Sequence, residues 1–324
     1  DAAPRILDVN PAYEEISGYP RDELVGQNPN ILKSGLTPPQ VYEEMWEALR
    51  TRGAWQGTFI NRRKGGELFY AFFSTVRLGE AHEPAGYIGF MRDVTPLVRG
   101  QEELRRRLAE LRTTQRVTVR TLARLAEYRD PGIDGHLDRV TYYSTLLARR
   151  LGQEGGWDTT VDEEFLESLQ SASLLHDVGK VGIPEGILFK PARLSRVERA
   201  VVELHPVVGA ELLRRADDRL REELGLSRTF LTMAVEVALH HHERWDGRGY
   251  PEGLQGAAIP AAARIVALAD VFDALTTRRV YRDPLPPAQA AELIREGAES
   301  QFDPRVVQAF LQELPRFEQA AREY

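Results

Sequence analysis

The residues with the clearest capacity for chemistry are histidines that share helix faces with apolar side chains. Six of the seven histidines lie from His136 onward. His136 precedes Val140, Tyr143 and Leu147 at the spacing of one helix face, which predicts that its imidazole points into a core. His205 lies between apolar residues on a helix that a Ser195 to Glu198 capping box is expected to open.

The same argument separates three adjacent histidines. His241 and His242 each continue an apolar stripe, whereas His240 follows Glu236 by four residues and is expected on the polar side. The two stripes are Phe230, Ala234, Val237 and Leu231, Val235, Ala238. Two of the three histidines are therefore predicted to be buried.

Two aspartates accompany these histidines. His176 and Asp177 end an apolar helix for which Gly179 is the expected stop, and a cation is favourable near a helix carboxyl end. Asp270 lies in the apolar run Ile265 to Phe272, where an uncompensated carboxylate would cost several kcal/mol to bury. Asp270 is therefore expected to face a cation.

The donor types together indicate a metal site. A single buried histidine is more often a satisfied core residue than a ligand, but five of them with two carboxylates are harder to explain as core. The chain has no cysteine, so any metal is held by nitrogen and oxygen, which suits iron, manganese or zinc. The number of donors exceeds what one tetrahedral ion needs, which indicates at least two metals.

Bulk properties restrict the function further. A chain of 324 residues with 42% hydrophobic and 28% charged residues fits two folded domains. The net charge of −7 argues against a surface for nucleic acid polymers, although a small phosphorylated ligand needs only a local basic pocket. No stretch resembles a membrane span, so a cytoplasmic location without membrane contact is expected for this fragment, which lacks an initiator Met.

The elements that must position these residues divide the chain in three. Residues 1–96 alternate strand-like runs with turns, including a hairpin at Arg62 to Glu67, and predict an α+β domain. Residues 97–126 follow a heptad pattern, which predicts a coiled coil and a homodimer; one amphipathic helix packed on its own chain is the alternative. Residues 127–324 predict an all-α domain. The heptad leucines are Leu97, Leu104, Leu108, Leu111 and Leu122, interrupted by Gln101 and Gln115.

Several motifs in this last part resemble the HD-GYP domain of the HD superfamily: HDVGKVGIP at 176–184, HHERWDGRGYP at 241–251 and ALADVFDALTTRRVYR at 267–282. The resemblance implies an HD-type helical fold with Asp177 bridging two ions. Lys180 matches a catalytic lysine that contacts the scissile phosphate, Arg279 and Arg282 match phosphate-binding residues, and Tyr250 lies in a loop beside the substrate. The implied metal ligands are His136, His176, Asp177, His205, His241, His242 and Asp270.

The resemblance implies a phosphodiesterase that opens cyclic di-GMP to pGpG, to GMP or to both, in bacterial second-messenger signalling. Two divalent ions, iron or manganese, are expected, since Gly132 stands where some members carry a glutamate for a third metal. Two ions about 3.5 to 4 Å apart can activate water and stabilise an in-line transition state. A diguanylate cyclase is a candidate signalling partner.

The first part resembles a PAS sensor domain, through NPAYEEISGYPRDELVGQNPNILKSG at 10–35 and DVT at 93–95, with its first strand expected to be truncated. This implies that residues 1–96 regulate the enzyme. The PAS ligand is not identified, and the alternatives are no cofactor or FAD.

Two other functions fit the same motifs in part. One is a catalytically inactive HD-GYP module that binds a nucleotide or a partner; such modules lose ligands, and all seven are present here. The other is an HD phosphohydrolase for mononucleotides, which would share His176, Asp177 and Asp270 but would not need the Gly249-Tyr250-Pro251 loop.

Overall fold

A computed structural model describes residues 4–80, 84–127, 135–155, 157–278 and 283–323. The chain folds into two units, Asp1–Arg112 and Thr113–Tyr324. The division falls inside one long helix, α4, which spans Thr95–Glu127. The predicted limits 1–96, 97–126 and 127–324 stay a prediction.

The first unit contains a three-stranded antiparallel sheet whose neighbouring strands follow one another in the sequence. Phe59 lies opposite Ala71, and Phe73 lies opposite Met91, so large apolar residues share one face. This face carries the core, while short helices precede the sheet. The elements are α1 (Pro11–Ser17), α2 (Arg21–Leu24), a 3-10 helix (Pro29–Leu32), α3 (Pro39–Thr51), β1 (Ala54–Arg62), β2 (Leu68–Gly79) and β3 (Pro84–Asp93). The predicted α+β class and hairpin are confirmed.

The start of α4 is tied to this sheet. The Asp93 carboxylate accepts a hydrogen bond from the Thr95 amide at 2.8 Å and pairs with the Arg63 guanidinium. The Thr95 hydroxyl accepts from the Tyr70 amide at 2.8 Å. The first turn of α4 is therefore fixed to β2 by side chains from the DVT segment.

The second unit is helical, as predicted. Aromatic side chains fill its centre, with Tyr143 stacked on Phe317 at a ring separation of 4.3 Å and Phe272 and Phe310 fully buried beside them. The elements are α5 (His136–Glu154), α6 (Glu163–Leu175), a 3-10 helix (Val178–Gly182), α7 (Glu185–Leu188), α8 (Arg196–Val202), α9 (His205–Leu224), α10 (Phe230–His240), a 3-10 helix (Gly256–Ala258), α11 (Ala261–Thr276), α12 (Pro287–Glu296) and α13 (Pro304–Glu323).

Two local predictions in this unit are wrong. The Ser195 to Glu198 capping box forms, but it opens the short α8, and His205 begins the next helix, α9. Gly179 does not stop α6, which ends at Leu175, since Gly179 lies inside the following 3-10 helix. A proline at 206 favours a new helix start there, because the second helical position needs no amide hydrogen bond.

Among the described helices, none is long and apolar enough to cross a bilayer.

Candidate metal centre

Five helices of the second unit bring the predicted ligands together. His136 is the first residue of α5, and His205 is the first residue of α9. His176 and Asp177 directly follow α6, and His241 and His242 directly follow α10. Asp270 alone comes from within a helix, α11. The side chains at these helix ends can therefore converge without interrupting any helix.

Asp177 lies at the centre of the cluster. Its Oδ1 is 3.1 Å from His205 Nε2 and 3.5 Å from His241 Nε2, and its Oδ2 is 3.3 Å from His176 Nε2. The donor atoms form two groups, and within each group all of them lie within 4.8 Å of one another. The first group contains His136, His176 and Asp177, and the second contains Asp177, His205, His241 and His242. The two groups share Asp177.

Asp270 joins the first group. Its Oδ1 lies 3.6 Å from His136 Nε2 and 3.9 Å from His176 Nε2. Burial alone would raise the pKa of Asp270, but the neighbouring imidazoles of His176 and His136 hold it below its ordinary value. The structure thus brings together all seven predicted metal ligands.

Main-chain carbonyls orient three of the imidazoles. The Nδ1 atoms lie 2.8 Å from the Ser173 carbonyl for His176, 2.7 Å from that of Val202 for His205, and 3.0 Å from that of Val237 for His241. A carbonyl oxygen only accepts, so each Nδ1 donates its proton. In the neutral ring, Nε2 then presents a lone pair toward Asp177.

The lone pairs at the centre lack donors of their own. His205 Nε2, His241 Nε2 and Asp177 Oδ1 are buried and make no hydrogen bond within the described part of the chain. Burial lowers the pKa of His241, so its Nε2 stays unprotonated near neutral pH. Converging acceptors that no proton separates repel one another unless a cation lies between them. The donor set therefore fits divalent metal ions, with oxygen and imidazole ligands.

Electrostatics around the centre favour the metal-binding forms of Asp177 and His242. Burial alone would raise the pKa of Asp177, but the adjacent Lys180 ammonium and the neighbouring His176 hold it well below its ordinary value. Burial lowers the pKa of His242 to about 2, and the adjacent His241 contributes to that shift. A deprotonated carboxylate and neutral imidazoles are the forms that bind metal.

Sequence reasoning missed the carboxylate that supports His136. Asp273, which is 1% exposed, accepts from His136 Nδ1 at 2.7 Å and is also held by the buried Arg139. An outer carboxylate of this kind fixes the tautomer of a ligating imidazole and raises its basicity. The available signal was spacing, because Asp273 is one helix turn after Asp270 in the same apolar run.

A close approach at a glycine brings Asp177 near His205. A Cβ on Gly179 would lie 2.0 Å from the His205 carbonyl oxygen and 2.4 Å from the Gly209 amide nitrogen. The 3-10 helix that follows Asp177 therefore packs directly on the backbone of α9. Glycine is needed at 179 for this close approach, rather than for the helix stop that the sequence predicted.

A cavity of about 310 Å³ opens on one side of the cluster. Its wall includes His241, His242 and Asp270, together with Tyr250, Arg248 and Glu203. The Tyr250 ring stacks on His242 with ring centres 4.9 Å apart. Candidate metal ligands and the aromatic and charged side chains of Tyr250, Arg248 and Glu203 therefore line one cavity.

Hydrogen bonds to Glu243 hold the loop that carries Tyr250. The buried Glu243 carboxylate accepts hydrogen bonds from the amides of Glu252, Gly253 and Leu254, at 2.8 to 3.1 Å. A Cβ on Gly249 would lie 2.4 Å from the Arg244 amide nitrogen, so only glycine fits there. The loop is therefore held rigidly beside the ligands.

Comparison with known proteins identifies the fold that builds this centre. Residues 120–306 match the HD domain family, and residues 2–96 match the PAS domain family. The chain belongs to the HD domain family. The predicted pairing of an amino-terminal PAS domain with an HD-type helical domain is confirmed.

Three curated proteins of Vibrio cholerae are similar to this chain. A probable cyclic di-GMP phosphodiesterase is 40% identical to this chain, and the match covers 69% of this chain and 50% of that protein. A cyclic di-GMP phosphodiesterase is 44% identical, and the match covers 62% of this chain and 40% of that protein. The 3'3'-cGAMP-specific phosphodiesterase 2 is 34% identical, and the match covers 76% of this chain and 46% of that protein. The chain thus spans half or less of the length of these relatives.

The other residues singled out in the sequence of the HD domain lie outside the two ligand groups or outside the described part of the chain. Lys180 Nζ donates to Asp177 Oδ2 and does not line the cavity. His240 bonds the Glu236 carbonyl and the Glu252 carboxylate, at 2.9 and 3.0 Å, and lies outside both ligand groups. Arg279, Arg282 and Gly132 lie outside the described residues, so their predicted roles stay predictions.

Proposed function

We propose that this chain is a metal-dependent phosphodiesterase that hydrolyses cyclic di-GMP. The observation that carries the proposal is the convergence of unprotonated imidazole nitrogens on Asp177, with Asp270 beside them and a cavity at their side. The names of the relatives at 40 and 44% identity support the substrate class.

The two ligand groups would each hold one divalent ion, iron or manganese, with Asp177 shared between them. Such ions supply Lewis-acid stabilisation of the phosphoryl group and lower the pKa of bound water. Binding of a third metal ion would need a further ligand near Gly132, where the sequence has no glutamate. The carbonyl-bound Nδ1 atoms keep His176, His205 and His241 facing Asp177.

The chain's own charged residues would position the substrate. Lys180 lies on Asp177, one helical turn away, and would contact the scissile phosphate from there. Arg279 and Arg282 are proposed as phosphate ligands on the basis of sequence. Tyr250 would cover the substrate, because its ring forms part of the cavity wall.

A second cyclic dinucleotide is a competing substrate. The 3'3'-cGAMP-specific relative matches 76% of this chain at 34% identity. Both substrates contain guanine and a phosphodiester, so the metal centre alone does not separate them. Direct competition between the two dinucleotides for turnover decides this point.

The first experiment is turnover with anaerobically purified protein supplied with Fe(II) or Mn(II). Cyclic di-GMP, 3'3'-cGAMP and cyclic di-AMP are incubated separately, and products are resolved by chromatography beside an Asp177→Asn control. Formation of pGpG or GMP by the intact protein alone supports the proposal and identifies the end product. Absence of turnover with metal bound would favour the inactive, nucleotide-binding alternative.

The helix α4 supports the proposed homodimer. Six leucines of this helix are 50 to 72% exposed in the described chain: Leu97, Leu104, Leu108, Leu111, Leu122 and Leu125. By contrast, Val119 and Ala123 are buried in the helical core. An exposed heptad stripe of leucines suits a coiled coil between two chains. Light scattering of a Leu104→Asp, Leu111→Asp double variant should show a monomer.

Regulation by the PAS domain is proposed from the start of the same helix. Asp93 joins Arg63 of the PAS domain to the Thr95 amide of α4. A change in the sheet would therefore reach α4 through a short set of hydrogen bonds. An Asp93→Asn variant should alter the hydrolysis rate while metal content stays constant; an unchanged rate would contradict this proposal.

A further inference from the structure

Glu203 is an acidic side chain on the cavity wall that the proposed reaction does not use. It follows α8, two residues before His205, and lines the cavity with His242, Tyr250 and Asp270. Its carboxylate makes no hydrogen bond or ion pair with the described residues, and the residue is partly buried. Glu203 and Tyr250 line the same cavity. Burial raises the pKa of Tyr250, and the carboxylate of Glu203 raises it further.

Glu203 is poorly explained as a metal ligand. The groups of donor atoms within 4.8 Å of one another consist, among the described residues, of His136, His176 and Asp177 and of Asp177 with the three later histidines. Glu203 belongs to neither group. Its carboxylate also repels phosphate oxygens, so it is unsuited to hold the diester itself.

A carboxylate accepts hydrogen bonds and donates none when ionised. The edge of guanine presents two adjacent donors, N1–H and the N2 amino group, which match the two oxygens of one carboxylate. Adenine presents one amino donor beside the N1 acceptor, whose lone pair would face a carboxylate oxygen. A free carboxylate in a nucleotide cavity therefore discriminates guanine from adenine.

We propose that Glu203 binds the N1–H and N2 amino edge of one guanine and selects guanine at this side of the cavity. This inference rests on the proposed function, because it assumes that a cyclic dinucleotide occupies the cavity. Tyr250 lines the same cavity as Glu203 and offers an aromatic ring on which a base can stack. The metal centre then acts on the phosphate, and Glu203 acts on the base.

The test that does not depend on turnover is binding of GMP and AMP to the Mn(II)-loaded protein by calorimetry. The two ligands share phosphate and ribose, so their difference reports the base. We expect the wild type to bind GMP at least about tenfold more tightly than AMP, and Glu203→Gln to reduce this preference to about twofold. A wild type without preference, or a Glu203→Gln protein that keeps it, overturns the proposal.

Turnover provides the second readout. Glu203→Gln should lower kcat/KM for cyclic di-GMP by about 10- to 100-fold, because a paired hydrogen-bond contact is lost. Hydrolysis of bis(p-nitrophenyl) phosphate, which carries no base, should change by less than about twofold and shows that the variant is folded. Retained kcat/KM for cyclic di-GMP would contradict the assignment.

A matched control and a second variant complete the design. Glu222→Gln removes an exposed carboxylate on α9 and should leave both binding and turnover unchanged. Glu203→Asp keeps the charge and shortens the reach, so it should retain part of the GMP preference. If no cyclic dinucleotide is hydrolysed but Glu203→Gln still removes the GMP preference, the proposed function fails while the guanine site stands.

Discussion

The two ligand groups of the centre differ in what holds their imidazoles. In the second group, His205 and His241 donate Nδ1 protons to carbonyls three or four residues earlier in the chain. In the first group, the Ser173 carbonyl holds His176 in the same local way, but His136 donates to the Asp273 carboxylate, which is 137 residues away in sequence. The orientation of His176, His205 and His241 is therefore a local property of helix ends, whereas that of His136 depends on packing between α5 and α11.

The difference also concerns charge. Asp273 is buried with Arg139, whose guanidinium also contacts Thr277, so the carboxylate beside His136 is itself paired. A carboxylate partner makes an imidazole a stronger ligand than a carbonyl partner does. We therefore expect the first group to depend more on distant side chains, and the second group to depend more on backbone positions.

The largest expected effect comes from the residue that both groups share. Asp177→Asn should lower turnover of cyclic di-GMP by about a thousandfold or more, because a metal ion contributes several kcal/mol of transition-state stabilisation. Metal content by mass spectrometry should fall for both ions. Asp218→Asn, at an exposed position of α9, is the matched control and should behave as wild type. Loss of only one ion would show that the groups do not share this carboxylate.

The second prediction addresses the backbone contact of the second group. Gly179→Ala should destabilise the HD domain by about 2 to 3 kcal/mol, because its Cβ would overlap the His205 carbonyl. Urea unfolding measures this change, and metal titration should show weaker binding by the second group. Gly186→Ala is the control, since nothing lies within 4 Å of a Cβ there. Equal stability of the two variants would contradict the predicted overlap.

The third prediction addresses the side-chain contact of the first group. Asp273→Asn should weaken metal binding about 10- to 100-fold at that group, which is the usual effect of losing an outer carboxylate. Metal titration with a spectroscopic probe should resolve one weakened ion and one unchanged ion. If both ions weaken equally, the two groups are coupled more strongly than their separate partners indicate.

The smallest expected effect concerns Lys180. Its ammonium group lies on Asp177 Oδ2, where it competes with a cation for the same oxygen. Lys180→Met should tighten metal binding by about two- to fivefold while it lowers turnover of cyclic di-GMP. Calorimetry and chromatography measure these opposite changes. A variant with weaker metal binding would show that Lys180 supports the ligand Asp177 instead of competing for it.

The sequence alone predicted which residues converge at the candidate centre. Helical phase separated His241 and His242 from His240, and an apolar run identified Asp270, because burial of a charged or polar group in such a pattern requires a partner. The strand and heptad patterns likewise predicted the sheet of the first unit and the course of α4. These are local signals, which depend on residues within one or two turns of each other.

Only the tertiary structure decided how those residues are supported. The pairing of Asp273 with His136 and Arg139 depends on which helices meet, and spacing within one helix does not report that. The close approach of Gly179 to α9 depends on helix packing in the same way. The place of Glu203 in the cavity wall has the same origin, since the loop at Tyr250 and the end of α8 are about fifty residues apart. Contacts between distant segments follow from packing of whole helix faces, so their partners become known only when the fold is assembled.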